Sequence, residues 1–428
     1  MRFACLIACI WLMLTASCAL GVSVDGYTVK NEKETQIAAG VVCRTFSLIP
    51  TNKPAGQSQR LFMLEVDPGQ ANIFVTCALS DSFVHLSRKR VSEFCTDLAK
   101  EGYMVLAAVN GDFFDTGAGG PVGNNMADGR WLCAGEFEEA WSVGFDRAGH
   151  MTICQATPSF TFSCSSDDGT EYQIDAVNAI RCDSAGKSSP ENVKNARLDN
   201  QIVLYTADYA AKTYAADGGV EIRIRTEDAL TANGTVCGTI TQIHTKDTTT
   251  TTKANKVCQG MEIGEGYMVL SFAPEAECPQ NLSVGDTITI HSSANPELAD
   301  CVTVAGGGRP DWGPLLLMNG EKTELSQEVE QDQPGFYKRN PRTVAAKKAD
   351  GTWFFLVVEG NRSGSYGMTL TLLQDVLLDL GADTALNLDG GPSSGLVIKS
   401  GKKYKLLTST TGSSGETRVG SALVICQK

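Results

Sequence analysis

The sequence predicts an α+β fold: a mixed central β-sheet with flanking helices and a β-rich insertion. Three observations lead there. Two segments with helical spacing of apolar residues each close on a glycine and run into an apolar strand, one early and one late in the chain. Between them, from about 160 to 300, short β-type runs alternate with polar loops. The strands after both helices end in amide and acidic residues, as strands do where an open sheet gathers polar groups into a crevice.

In chain order, residues 20–60 read as an N-terminal segment ending in the polar stretch 50–60. Strands are expected at 61–66 (LFMLEV) and 71–78, either side of the turn Asp67-Pro68-Gly69. Val91–Lys100 has Phe94, Cys95 and Leu98 on one face, Ser92 placed to cap its start and Gly102 to close its end. A strand at 103–109 leads into Asn110-Gly111-Asp112. The middle region offers strands at 201–205, 220–225, 267–272 and 287–291, and a threonine run, 248–252, that suits a loop. A strand at 352–358 ends at Glu359-Gly360-Asn361-Arg362. A helix at 370–380 follows, with Thr369 as cap and Gly381 as stop, then a strand at 384–388 that empties into Asp389-Gly390-Gly391. Helix, glycine, strand and Asn-x-Asp thus occur twice, at 98–112 and 378–389. This predicts that both Asn-x-Asp units lie at the same edge of one sheet and share a site.

Composition narrows the setting. The chain has 428 residues, of which 42% are hydrophobic and 20% charged, which suits a globular protein with two or three domains or one domain carrying large insertions. Residues 1–19 read as a cleaved signal peptide: Met1-Arg2, an apolar run at 3–14, then small residues. The alternative is a lipid anchor at Cys18. The expected location is exported: secreted, periplasmic or cell-surface. No other segment resembles a transmembrane span. Three of the 15 cysteines fall in that leader (5, 9 and 18), and the remaining 15 − 3 = 12 are dispersed without a CxxC pair, so disulfides are expected and a zinc site is not. A formal charge of −13 makes nucleic acid a poor partner.

The chemistry concentrates at strand ends. Asp389 closes an apolar strand, and two glycines beside it let backbone N–H groups approach a ligand. Asn387 and Ser393 lie within a few residues. Arg342, in Asn340-Pro341-Arg342-Thr343, offers a held cation for an anionic group, and Glu359 and Arg362 add a second carboxylate and a second cation.

With these residues in view, three stretches carry a resemblance: NGDFFD at 110–115, GGGRPDWGPLLLMNGE at 306–321, and RNPRTVAAKKADGTWFFLVVEGNRSGSYGMTLTLLQDVLLDLGADTALNLDGGPSS at 339–394. Together they resemble the phosphodiester glycosidase family. Glu359-Gly360-Asn361-Arg362 stands where the family carries an acidic-Gly-Arg run, and Pro392 stands where a third glycine is common. The resemblance implies a family domain split into 61–160 and 304–428 around a β-rich insertion or subdomain at 161–303. It implies a hydrolase acting on a sugar-1-phosphodiester, releasing free sugar and a phosphomonoester from a surface polysaccharide or glycoconjugate. A phosphate leaves as a stable anion, so the remaining needs are a carboxylate at the anomeric carbon and cations for the phosphate. Asp389, Asp112 and Glu359 are the catalytic candidates. Arg342, Thr343, Arg362, Asn110, Asn387, Gly390, Gly391 and Ser393 are the substrate-binding candidates.

Three other readings compete. Gly391-Pro392-Ser393-Ser394-Gly395 fits a serine nucleophile elbow, but strand-like residues follow Ser393 and all four histidines (85, 150, 244, 291) lie upstream, which argues against it. A divalent cation, Ca or Mg, suits the oxygen-rich set Asp112, Asp115, Glu359 and Asp389. A non-catalytic glycan-binding or envelope protein would use exposed aromatics, with Trp131, Trp141 and Trp312 as candidates.

Overall fold

A computed structural model describes residues 24–51, 58–79, 88–114, 120–135, 140–179, 200–213, 219–245, 260–306, 314–325, 337–408 and 415–428. The expected leader, Cys18, Asp115, Trp312 and the threonine run lie outside them.

The architecture is mostly β, which corrects the α+β expectation. Among the described residues there are 26 strands and two α-helices, α1 (Val91–Lys100) and α2 (Leu370–Asp379). The two helices read from sequence are real, but each only covers one sheet face, and the strands beside them run antiparallel. The α/β rhythm misleads because a helix followed by a strand is also compatible with an antiparallel layer.

Four sheets are formed. Sheet I has eight antiparallel strands in the order Tyr27–Ala38, Val41–Pro50, Gln59–Val66, Trp353–Val358, Arg342–Lys347, Thr384–Asn387, Leu315–Met318 and Glu321–Lys322. Sheet II also has eight strands, all lying between Ser159 and Ser293, with one parallel pair, Ala176–Val177 against Ile202–Thr206. Sheet III joins Arg130–Cys133, Asn125–Ala127, Cys301–Gly306, Trp141–Asp146 and Met151–Gln155. Sheet IV joins Lys403–Leu406, Leu396–Ser400, Met104–Asn110, Ser421–Gln427 and Ile73–Leu79.

Side-chain alternation explains the layering. On one face of sheet I, Trp353, Phe355 and Val357 pack with Val143 and Phe145 of sheet III and with Val109, Leu423 and Ile425 of sheet IV. On the other face, Phe354, Leu356 and Val358 pack with Leu370, Leu373, Val376 and Leu377 of α2. The strand WFFLVV is buried along its whole length because both of its faces are covered. Fully burying each such side chain contributes about 1.5–3 kcal/mol. Helix α1 covers the outer face of sheet IV through Val91, Phe94 and Cys95.

The helix ends follow local chemistry. Thr369 Oγ1 accepts from the Leu372 N–H (3.2 Å), and Gly381 turns the chain at φ +79°. At α1 the expected cap is corrected: Glu93 reaches back to the Arg90 N–H (2.8 Å), whereas Ser92 binds the Glu416 carboxylate.

Two further expectations change. The ten described cysteines carry free thiols, eight of them buried, so the expected disulfides are not formed among the described residues. They behave as small apolar side chains of the core. The two Asn-x-Asp units do not share a sheet either, since Met104–Asn110 belongs to sheet IV and Thr384–Asn387 to sheet I. Their ends meet where the two sheets pack.

Candidate active site

The Arg342–Lys347 and Thr384–Asn387 strands are neighbours in sheet I, with Val344 opposite Asn387. The chain leaving Asn387 is tied back to its neighbour, Leu388 N–H to Thr343 O (2.8 Å) and Gly391 N–H to Pro341 O (2.9 Å). At Gly390 the loop runs close to its neighbour, since a Cβ there would stand 3.1 Å from Pro341 O. Pro392 and Ser393 complete a short 3-10 turn before the strand Leu396–Ser400. Asp389 is thereby fixed at the start of a tight loop.

Asn110 joins this loop to sheet IV. Its Nδ2 donates to the backbone oxygen of Asp389 (2.7 Å), and its Oδ1 accepts from Thr343 Oγ1 (2.8 Å) and from the Gly395 N–H (3.1 Å). Two residues on, Asp112 is only 1% exposed. The Ser421 hydroxyl accepts from the Asp112 N–H (2.9 Å) and donates to Oδ2 (3.1 Å), which also accepts from Asn125 Nδ2. Oδ1 faces the Gly306 backbone without a hydrogen bond of ordinary geometry.

The two carboxyls share an unusual electrostatic state. Burial pushes Asp112 up to about 8, against the opposing pull of Ser421 and backbone donors. Burial likewise pushes Asp389 up to about 7, opposed by hydrogen bonds from Ser393 and the Gly390 N–H. They differ in access. Asp389 keeps part of its surface in solvent despite its enclosed position, whereas Asp112 is sealed. A carboxyl on a half-buried residue that titrates near neutrality can exchange a proton with a bound molecule.

The remaining candidates separate into three groups. Thr343 and Asn387 are fully buried, like Asn110, and face inward. Gly390, Gly391 and Ser393 are half-buried beside Asp389. Glu359 is 3% exposed, and its carboxylate lies 3.8 Å from the guanidinium of the exposed Arg362. Arg342 is 2% exposed, and its guanidinium donates to the backbone oxygens of Met368 (3.1 Å) and Lys338 (2.8 Å). Burial lowers it to about 10. It lies on the same sheet face as Val344 and Ala346, which pack with α2, and therefore on the face opposite Thr343. Trp131 is buried in the sheet II core and cannot serve as an exposed sugar platform.

Sequence reasoning missed Ser421, Asn125 and Gly395. Ser421 lies 309 residues from Asp112, and only the strand pairing of sheet IV brings them together. Among the described residues, no three His, Cys, Asp or Glu side chains gather to hold a metal ion.

The strand-end loop thus presents a half-buried aspartate beside two glycines on a layered β scaffold. Residues 238–426 match the family model described as phosphodiester glycosidase, a family of hydrolases. Two solved structures share the fold. One is a hypothetical protein from Synechocystis (17% identity, 94% of this chain and 68% of that chain covered, TM-score 0.69). The other is a protein described as exported, from Burkholderia pseudomallei K96243 (17% identity, 95% and 98% covered, TM-score 0.66). The catalytic domain of zebrafish N-acetylglucosamine-1-phosphodiester alpha-N-acetylglucosaminidase also aligns, at 13% identity over 94% of this chain and 89% of that chain, but with a TM-score of 0.46. No curated protein sequence matches the chain. Among the described residues no helix is long and apolar enough to cross a membrane.

Proposed function

We propose that the chain hydrolyses a sugar-1-phosphodiester, with Asp389 as the group that does the chemistry. The observation that carries this is Asp389 itself: it lies within the family-matched stretch, on a half-buried residue at a strand-end loop, and titrates near neutrality through burial of its carboxyl. As a carboxylate it accepts the proton of a water that attacks the anomeric carbon, and it stabilises positive charge developing there. The bond from that carbon to the phosphate oxygen breaks, its electrons staying on the phosphate, so the products are free sugar and a phosphomonoester. The Ser393 hydroxyl and the Gly390 N–H hydrogen-bond the Asp389 carboxyl and set its orientation toward substrate, while the Gly391 N–H is taken by Pro341 O.

Arg362 is the cation with access to solvent and takes the phosphate role, braced by Glu359. Arg342, committed to Met368 and Lys338, holds the loop instead of touching substrate. Asp112 is sealed and shapes the junction from behind. Export follows from the leader-like residues 1–19 and is supported by the Burkholderia relative. The substrate is then a surface polysaccharide or glycoconjugate, with residues 161–303 as an inserted unit.

The test is to incubate the protein with a panel of sugar-1-phosphodiesters and measure reducing sugar. The second reading, glycan binding without turnover, is favoured by the burial of Arg342, which leaves fewer free cations for a phosphate than the sequence offered. Saturable binding with no sugar release would establish it.

A further inference from the structure

We infer that Asn110 and Thr343 form a buried bracket that positions Asp389, and that neither touches substrate. This rests on the hydrolase reading above. Both side chains have no exposed surface. The amide of Asn110 uses each of its ends: Nδ2 on the Asp389 backbone oxygen, Oδ1 on Thr343 Oγ1 and on the Gly395 N–H. The Asn110 N–H closes the set on Gly395 O (3.3 Å). One residue therefore holds both ends of the loop 389–395 and clamps it to a strand of sheet I. Only a planar side chain with a donor and an acceptor at fixed separation can do this. Thr343 sets the orientation of that amide, because its hydroxyl donates to Oδ1 and leaves the NH2 end for Asp389.

The consequence is specific. The loop carries the two groups that hydrogen-bond the Asp389 carboxyl, Ser393 and the Gly390 N–H. Releasing the loop moves the carboxyl out of its enclosed position and toward water. Its titration then falls from near 7 toward the ordinary carboxylate range, about 4. A residue that merely stabilises the fold would change the amount of folded protein and leave this titration alone.

Thr343→Val keeps the shape and removes the hydroxyl, Thr343→Ser keeps the hydroxyl, and Asn110→Ala removes the bracket. The readouts are steady-state kinetics and the Asp389 carboxyl titration by carbon NMR, assigned by its loss in Asp389→Asn. The expected result is a kcat lower by about 100-fold in Asn110→Ala and by about 5- to 10-fold in Thr343→Val, with KM within about twofold. Thr343→Ser should match the parent, and the titration should move down in the same order. An unchanged Asp389 titration in folded Asn110→Ala, or a change in KM alone, would overturn the bracket. If the parent protein releases no sugar, the hydrolase reading fails while the titration still decides the bracket.

Discussion

Replacing Asp112 by Asn should remove a pH dependence of stability that one buried carboxyl imposes. Asp112 is 1% exposed and titrates at about 8 in the folded chain, against about 3.9 for an unfolded aspartate. Its folded pKa is therefore raised, so the folded state binds the proton more tightly. Below about pH 4 both states are protonated and the group costs nothing. From there to about 8 the unfolded state gives up its proton first, and stability falls by about 1.4 kcal/mol per pH unit. Between pH 5 and pH 7 this amounts to about 2.7 kcal/mol, a large part of a typical 5–15 kcal/mol. Asp389 adds a loss of the same sign as pH rises toward its own value near 7, in the parent and in Asp112→Asn alike. Glu65, whose pKa is lowered by Lys348 and Arg44 against its burial, acts below this window with opposite sign. Urea unfolding of the two proteins at pH 5, 6 and 7 is the assay. The parent should lose about 2–3 kcal/mol more than Asp112→Asn across that range. Parallel curves, agreeing within about 0.5 kcal/mol, would refute the sealed acid.

Two structural predictions complement this one. Thr369→Ala removes the acceptor for the Leu372 N–H at the start of α2 and should cost about 1 kcal/mol, read as a shift of the urea midpoint with unchanged slope. Gly360→Ala would place a methyl group 2.8 Å from Pro341 N and 2.9 Å from Gly367 Cα, both backbone, and should cost about 1–3 kcal/mol in thermal unfolding. It should also lower activity, because Pro341 leads into the strand that carries Thr343.

Local structure was legible in the sequence where periodicity and capping chemistry agree. Helix α1 matches its expected span, and the strands at 220–225 and 267–272 match Val220–Arg225 and Tyr267–Phe272. The long hairpin Tyr27–Ala38 with Val41–Pro50 was missed, because its outer strand is an exposed edge with charged residues at 30, 32, 33 and 34. Pairing was not legible, since Met104–Asn110 lies between two strands drawn from beyond residue 395, and no local pattern encodes that. This is why the fold class failed, and why the two Asn-x-Asp units, expected at one edge of a single sheet, meet instead from two sheets. The same cause separates the candidate residues. Type and spacing marked Asp389, Asn110 and Arg342, but only packing shows that Asp389 is half-buried while the other two are fully buried and hold loops.

The most direct test of the account is sugar release from a panel of sugar-1-phosphodiesters by the parent and by Asp389→Asn, from pH 5 to pH 9. Asp389 must be ionised to act as a base, so parent activity should rise through about pH 7 and then level off. Asp389→Asn should fold normally and lose about 100-fold or more of kcat. Equal release by folded Asp389→Asn, or none by the parent on any sugar tested, would contradict it.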